Sequence, residues 1–138
     1  MNAIESKIST YIERGQNREL ADILQNNPLV CNELASWFIV AVLAHNFEAI
    51  SILNRFYPDV NFQNADGESA FSYACIEDQF EIAKLLHRLG ANINASDLQG
   101  ATPLDWAVCH ARPEFRAWLK TIGGKRNFSD PEWPQKSQ

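Results

Sequence analysis

Apolar residues along the chain come in short bursts at helical spacing, each closed by a polar or glycine break. Ile4, Ile8, Tyr11 and Ile12 stand three or four residues apart, so they share one face of a helix. Gly15 interrupts that stripe, Leu20, Ala21, Ile23 and Leu24 form a second, and Asn26-Asn27-Pro28 stops it. From Leu34 to Ala44 the chain reads Leu-Ala-Ser-Trp-Phe-Ile-Val-Ala-Val-Leu-Ala, apolar on almost every side. A bilayer span needs about 20 such residues, so this shorter run predicts a helix buried between neighbours. The pattern as a whole predicts an all-α chain of short helix pairs.

Between the later bursts, Asp97 to Ala107 reads Asp-Leu-Gln-Gly-Ala-Thr-Pro-Leu-Asp-Trp-Ala. Asp97 and Gly100 predict a tight turn, with glycine supplying the backbone freedom the bend requires. Thr102 is placed to cap a helix, and Pro103 suits its first position, where a missing N–H costs nothing. Leu104 and Ala107 then share one face. Thirty-three residues earlier, Asn64 to Ala74 repeats the pattern, with Gly67, Ser69, Phe71, Tyr73 and Ala74 at the positions of Gly100, Thr102, Leu104, Trp106 and Ala107. Glu81, Leu86 and Gly90 likewise meet Glu114, Leu119 and Gly123. Phe38, Ala41, Leu53, Val60 and Asn61 stand one period before Phe71, Ala74, Leu86, Ile93 and Asn94. A period of this length means a stacked array of supersecondary units.

The run Asp-x-x-Gly-x-Thr-Pro-Leu, an Ala three residues on, and a Leu-Leu helix ending in Gly-Ala-Asn-Ile-Asn together resemble the ankyrin repeat. The match is closest at Asp97 to Ala107 and at Leu85 to Asn94. The resemblance implies an all-α solenoid of four helix-turn-helix repeats joined by β-turn fingers, with degenerate end repeats. The repeats are expected at 1–29, 30–62, 63–95 and 96–126. The first lacks the turn motif, and end repeats depart from consensus to present a polar outer face. Glu5, Lys7, Glu13, Arg14, Arg18 and Glu19 are the residues expected to supply it. In the second, Cys31 stands for the turn aspartate and Leu34 for the glycine, which predicts an irregular turn. Phe56-Tyr57-Pro58 also lacks the glycine that commonly ends an outer helix, leaving Pro58 to end it. In the fourth, Trp118 replaces Leu85 and Gly123-Gly124 closes the helix. Pro131 and Pro134 forbid a regular helix in the tail, 127–138. Phe128 and Trp133 are expected to fold back and cap the fourth repeat.

Composition narrows the function. At 138 residues, 46% hydrophobic and 21% charged, the chain has the make-up of one foldable domain. Its net charge of −5 argues against nucleic acid, which calls for a basic face. The same charge suits a basic protein partner, or serves solubility alone. Cys31, Cys75 and Cys109 are too widely spaced for a zinc site or a disulfide framework, and Cys75 aligns with Val108 as a small core residue. Met1 to Glu5 contains no basic start or apolar run, so no signal peptide and a cytoplasmic setting are expected.

No catalytic constellation emerges. His45 falls in an interhelical turn and His87 on an outer helix. Cys109 beside His110 invites a nucleophile–base reading, but adjacent helix residues point about 100° apart. No acidic metal loop or phosphate-binding glycine motif is present. A non-enzyme with no cofactor and no metal is expected.

The ankyrin resemblance implies a protein-binding surface made of fingertips and inner-helix ends. Carried onto this chain, it gives Ala65, Asp66 and Glu68 at one tip and Leu98, Gln99 and Ala101 at the next. Ile76 and Glu77 end one inner helix, and Cys109 and His110 end another. Asn32, Glu33, Ala35, Leu43 and Ala44 are the equivalents in the second repeat. Leu43, Ile76 and Cys109 would form an apolar ladder flanked by Glu33, Asp66, Glu68 and Glu77, the composition of a specific interface. The competing reading packs Leu43 and Ile76 between repeats. Tyr73 and Trp106 are expected to face the core. The expected function is binding of one protein partner, basic if charged, by a chain that is monomeric when unbound and engages neither nucleic acid nor membrane. An inhibitor or immunity protein neutralising a toxin or enzyme is one form of this. A structural adaptor or chaperone bridging two proteins, with the tail as its second site, is the alternative.

Overall fold

The periodic signals of the sequence become four consecutive helix pairs in the computed structural model, which describes residues 3–27 and 34–128. The pairs are α1 (Ala3–Glu13) with α2 (Asn17–Asn26), α3 (Leu34–Leu43) with α4 (Phe47–Phe56), α5 (Ala70–Ile76) with α6 (Phe80–Arg88), and α7 (Pro103–His110) with α8 (Pro113–Thr121). Among the described residues there is no strand. The inner helices α1, α3, α5 and α7 pack in series, and α2 packs on α4. The chain is an all-α solenoid. The turn at Cys31 and the expected cap residue Trp133 lie outside the described residues.

Local chemistry sets the helix ends. Thr102 accepts a hydrogen bond from the Asp105 N–H (3.2 Å), and the Asp105 carboxylate accepts one from the Thr102 N–H (2.9 Å), with Pro103 next in the chain. Ser69 and Ser72 make the same reciprocal cap on α5. This pairing satisfies two backbone donors that the first helical turn leaves open. Helix α4 stops at Phe56, with Tyr57 as its cap and Pro58 following, as the missing glycine predicted.

The turns inside the first three helix pairs each use a left-handed residue, whereas Ala111 and Arg112 join α7 to α8 at negative φ. Gly15 fills that place in the first pair (φ 70°), but His45 (φ 56°) and Asp78 (φ 54°) do so in the next two. Asp78 is held by its neighbour across the stack, since the Arg112 N–H donates to it (3.0 Å) and the Arg112 guanidinium pairs with its carboxylate at 3.1 Å. His45 has a single contact of this kind, with the Gln79 side chain at 3.1 Å.

The core runs the length of the stack. Ile8, Ile12, Leu20 and Leu24 are buried in the first pair, and Trp37, Phe38, Ile50 and Leu53 in the second. Phe71, Ile82 and Leu86 continue it into the third, and Phe115 and Leu119 into the fourth, with Cys75 also buried. Phe80 of α6 stacks on Phe115 of α8 at 4.8 Å, tying the outer helices together. One expectation is corrected. Glu5 is not part of a polar outer face but is buried, while Lys7, Glu13, Arg14, Arg18 and Glu19 are exposed.

Two contacts recur between repeats. The Asn61 side chain donates to the Gly90 carbonyl (3.1 Å) and accepts from the Asn92 N–H (2.7 Å). One period on, Asn94 donates to the Gly123 carbonyl (3.1 Å) and accepts from the Lys125 N–H (2.8 Å). These two asparagines are rungs of one ladder. The fingers themselves are joined by the Leu98 N–H donating to the Asp66 carbonyl at 3.0 Å.

The end of the described chain turns back on the fourth repeat. Asp105 is fully buried and accepts from the Arg126 guanidinium (3.0 Å), the Asn127 N–H (3.0 Å) and the Phe128 N–H (3.3 Å). Burial by itself pushes the Asp105 carboxyl up. The donors from Thr102, Asn127, Arg126 and Phe128 outweigh it and hold the group below the ordinary aspartate value. The Asn127 side chain also donates to the Gly100 carbonyl at 2.9 Å.

Candidate functional site

Each finger is a turn closed by its first side chain. The Asn64 side-chain oxygen accepts from the Asp66 and Glu68 N–H groups (3.0 and 2.9 Å). Asp97 does the same for Gln99 and Ala101 (2.9 and 3.0 Å). Gly67 and Gly100 take positive φ in these turns. Such side-chain-to-backbone closure is what short polar residues offer a turn, and it holds the tip residues out in a fixed pose.

The tips carry the residues the sequence named. Ala65, Asp66, Leu98 and Gln99 are exposed, Leu98 to 77%, and Glu68 is half-buried. Ala101 is a correction: it is buried, its N–H donating to Asp97 and its carbonyl accepting from the Asp97 N–H, so it offers no side chain to a partner. Glu33 and Asn32 lie outside the described residues.

At the far ends of the inner helices the row is uneven. Leu43 is 47% exposed, while Ile76 and Cys109 are half-buried. Glu77 and His110 are exposed, and Ala35 and Ala44 half-buried. Phe47, which the sequence reading did not single out, adds an exposed aromatic close to Leu43 in the chain. It opens an outer helix, where the repeat pattern gives no reason to look for contacts.

Tyr73 and Trp106 pack against the core, as expected, but are only half-buried, so part of each also reaches this surface. Burial raises the Tyr73 hydroxyl pKa first, the charge and hydrogen bond of Glu68 raise it further, and Asp66 and Glu77 add to it. One phenol therefore senses three of the predicted carboxylates together. The Trp106 indole N–H donates to Asp97 at 2.9 Å, and its ring stacks on His110 at 6.0 Å. Between the two fingers lies a cleft of about 240 Å³ lined by Asp66, Glu68, Asp97, Leu98, Gln99 and Trp106. Sequence reasoning found the tips but missed this cleft. The nine-residue separation of Asp97 and Trp106 becomes a contact only after the finger folds onto its helix.

The electrostatics are one-sided. Among the described residues the ion pairs are Lys84 with Glu81, Arg112 with Asp78 and Arg126 with Asp105. Asp66, Glu68, Glu77 and Asp97 have no cationic partner there. Among the described residues no group of three or more His, Cys, Asp or Glu side chains could hold a metal ion, and no described helix is long and apolar enough to cross a membrane.

A family model of ankyrin repeats in three copies matches residues 14–127. The match begins after α1, the helix whose repeat lacks the turn motif. No curated protein sequence matches the chain.

Proposed function

The chain belongs to the ankyrin-repeat family, a family of protein–protein interaction modules, and from that premise we propose that it captures one basic protein partner without catalysis. The partner lies across the fingertips and the ends of the inner helices. The observation that carries this reading is the set of acidic groups Asp66, Glu68 and Glu77 around Tyr73, on a surface that also exposes the apolar groups Leu43 and Leu98. Exposed apolar groups favour a specific contact, and carboxylates with no cationic partner speed encounter with a basic surface. Capture of this kind suits an inhibitor or immunity protein that neutralises a basic toxin or enzyme by covering its surface. The adaptor reading needs the tail as a separate site. The hydrogen bonds that commit Arg126, Asn127 and Phe128 to Asp105 weigh against it.

Affinity capture from host lysate tests this, with the intact chain as bait and Asp66→Lys/Glu68→Lys/Ile76→Arg as control. A basic protein retained by the former and lost by the latter is the expected result. Several partners held equally by both would move the binding surface away from the fingertips. With the partner purified, Asp66→Asn/Glu68→Gln/Glu77→Gln is expected to slow association and flatten its salt dependence. Unchanged kinetics would remove the electrostatic part of the reading.

A further inference from the structure

We propose that Asp66–Gly67 is a site of spontaneous covalent modification, the conversion of aspartate to isoaspartate, and that the closure of its finger sets the rate. Of the six glycines in the chain, Gly67 alone follows an aspartate or asparagine. The chemistry needs only these two residues and water. The Gly67 backbone nitrogen bonds to the side-chain carboxyl carbon of Asp66 and a five-membered succinimide closes. The nitrogen's proton and the hydroxyl of the carboxylic acid form leave as water. Water then reopens the ring. Attack at the side-chain carbonyl carbon restores aspartate. Attack at the main-chain carbonyl carbon leaves the chain running through the side-chain carbon, with the mass unchanged. A Cβ on the following residue crowds the first step, and glycine has none.

Asp66 is exposed at a fingertip, and tips open more readily than packed helices. The closed finger nevertheless restrains the reacting atoms. The Gly67 N–H, the nucleophile, donates to the Asn64 carbonyl at 2.9 Å, and the Asp66 carbonyl accepts from the Leu98 N–H at 3.0 Å. The Asp66 N–H donates to the Asn64 side-chain oxygen at 3.0 Å, and the Gln63 side chain donates to the Gly67 carbonyl at 2.9 Å. Turning the Gly67 nitrogen onto the Asp66 side chain breaks this set of bonds. The reaction therefore runs from the transiently open finger, at the unfolded-chain rate multiplied by the open fraction. The second finger is an internal comparison. Its turn has the same backbone bond, from the Gly100 N–H to the Asp97 carbonyl at 2.9 Å, but carries Gln99 before the glycine. That longer side chain would have to close a six-membered ring, which is slower. Isoaspartate at Asp66 adds a carbon to the main chain and spoils the register of the closing bonds, so the finger stays loosened whatever it binds.

Incubating the full-length protein at neutral pH, folded and in denaturant, and mapping isoaspartate in its peptides tests this. Isoaspartate is expected to build up at Asp66 above every other aspartate or asparagine. The folded protein should react more slowly than the denatured chain, by the factor that hydrogen exchange at the Gly67 amide reports for opening of the finger. Asn64→Ala removes the side-chain oxygen that closes the turn. It should speed the reaction in the folded protein by about fivefold or more, as the loss of one net hydrogen bond implies. Asp66→Glu should abolish the signal at this position. Should that variant loosen more than the finger, the exchange rate of the parent chain still fixes the expected yield. A denatured chain that forms no isoaspartate at Asp66, or a folded chain that forms more elsewhere, would overturn the site. Equal rates in the folded and denatured chains would overturn the control by the finger.

Discussion

Two residues do similar work in successive turns of the stack at different cost. His45 and Asp78 both hold a left-handed backbone that glycine adopts freely. Asp78 is repaid by Arg112, whereas the exposed His45 has only its contact with Gln79. His45→Gly is therefore expected to stabilise the protein by about 0.5–1 kcal/mol, seen as a rise of a few degrees in the thermal midpoint. Asp78→Gly should bring no such gain, because the relief is cancelled by the lost ion pair. Asp105 makes the opposite case, a buried charge with every contact filled. Its pKa is lowered on folding, so its contribution is present above the ordinary aspartate value of about 3.9 and is lost as pH falls through the folded value. Denaturant titrations at pH 7 and pH 3 should show a smaller loss of stability for Asp105→Asn than for the parent chain. An equal loss would mean that other carboxylates dominate acid unfolding.

At the scale of the element, finger and helix obey different limits. Gly67 combines a φ of 75° with close backbone: a Cβ there would lie 2.9 Å from the Leu98 nitrogen and 3.1 Å from the Asp97 Cα. Neither neighbour is a side chain that can swing away. Gly67→Ala should cost more than about 1 kcal/mol in equilibrium unfolding and shift the amide resonances of both fingers. Leu86 on α6 has no exposed surface, and Leu86→Ala should cost about 2–5 kcal/mol through the cavity it leaves. Helices and turns of this sort were legible in the sequence because their causes are local. Asp97, Gly100, Thr102 and Pro103 each state a turn or cap within a few residues of where it acts. Glu5, Ala101 and the cleft were not, because their surroundings come from other parts of the chain. Ala101 reads as a tip residue by alignment, yet the turn Asp97 closes draws its backbone inward. The charge of Glu5 suggested an outer face, but its place on α1 is buried.

For the molecule as a whole, the ends of the array are where stacking stops. We propose that residues 126–128 serve as the final cap, since their donors supply Asp105 with partners from beyond the last helix. Truncation after Lys125 should then lower stability by on the order of 3 kcal/mol by stranding a buried carboxylate, whereas truncation after Phe128 keeps every one of those bonds. Unfolding midpoints of the two truncations separate the cap from the rest of the tail. The asparagine ladder also bears on how such a chain can grow. Each rung joins a side chain to the carbonyl 29 residues ahead and the N–H 31 residues ahead, at Asn61 and again at Asn94. A tandem duplication of residues 62–94 would reproduce both offsets, with the first copy of Asn94 meeting the second copy of Gly90 and the last meeting Gly123. At the level of this ladder the gene can lengthen by whole units without inventing a new junction.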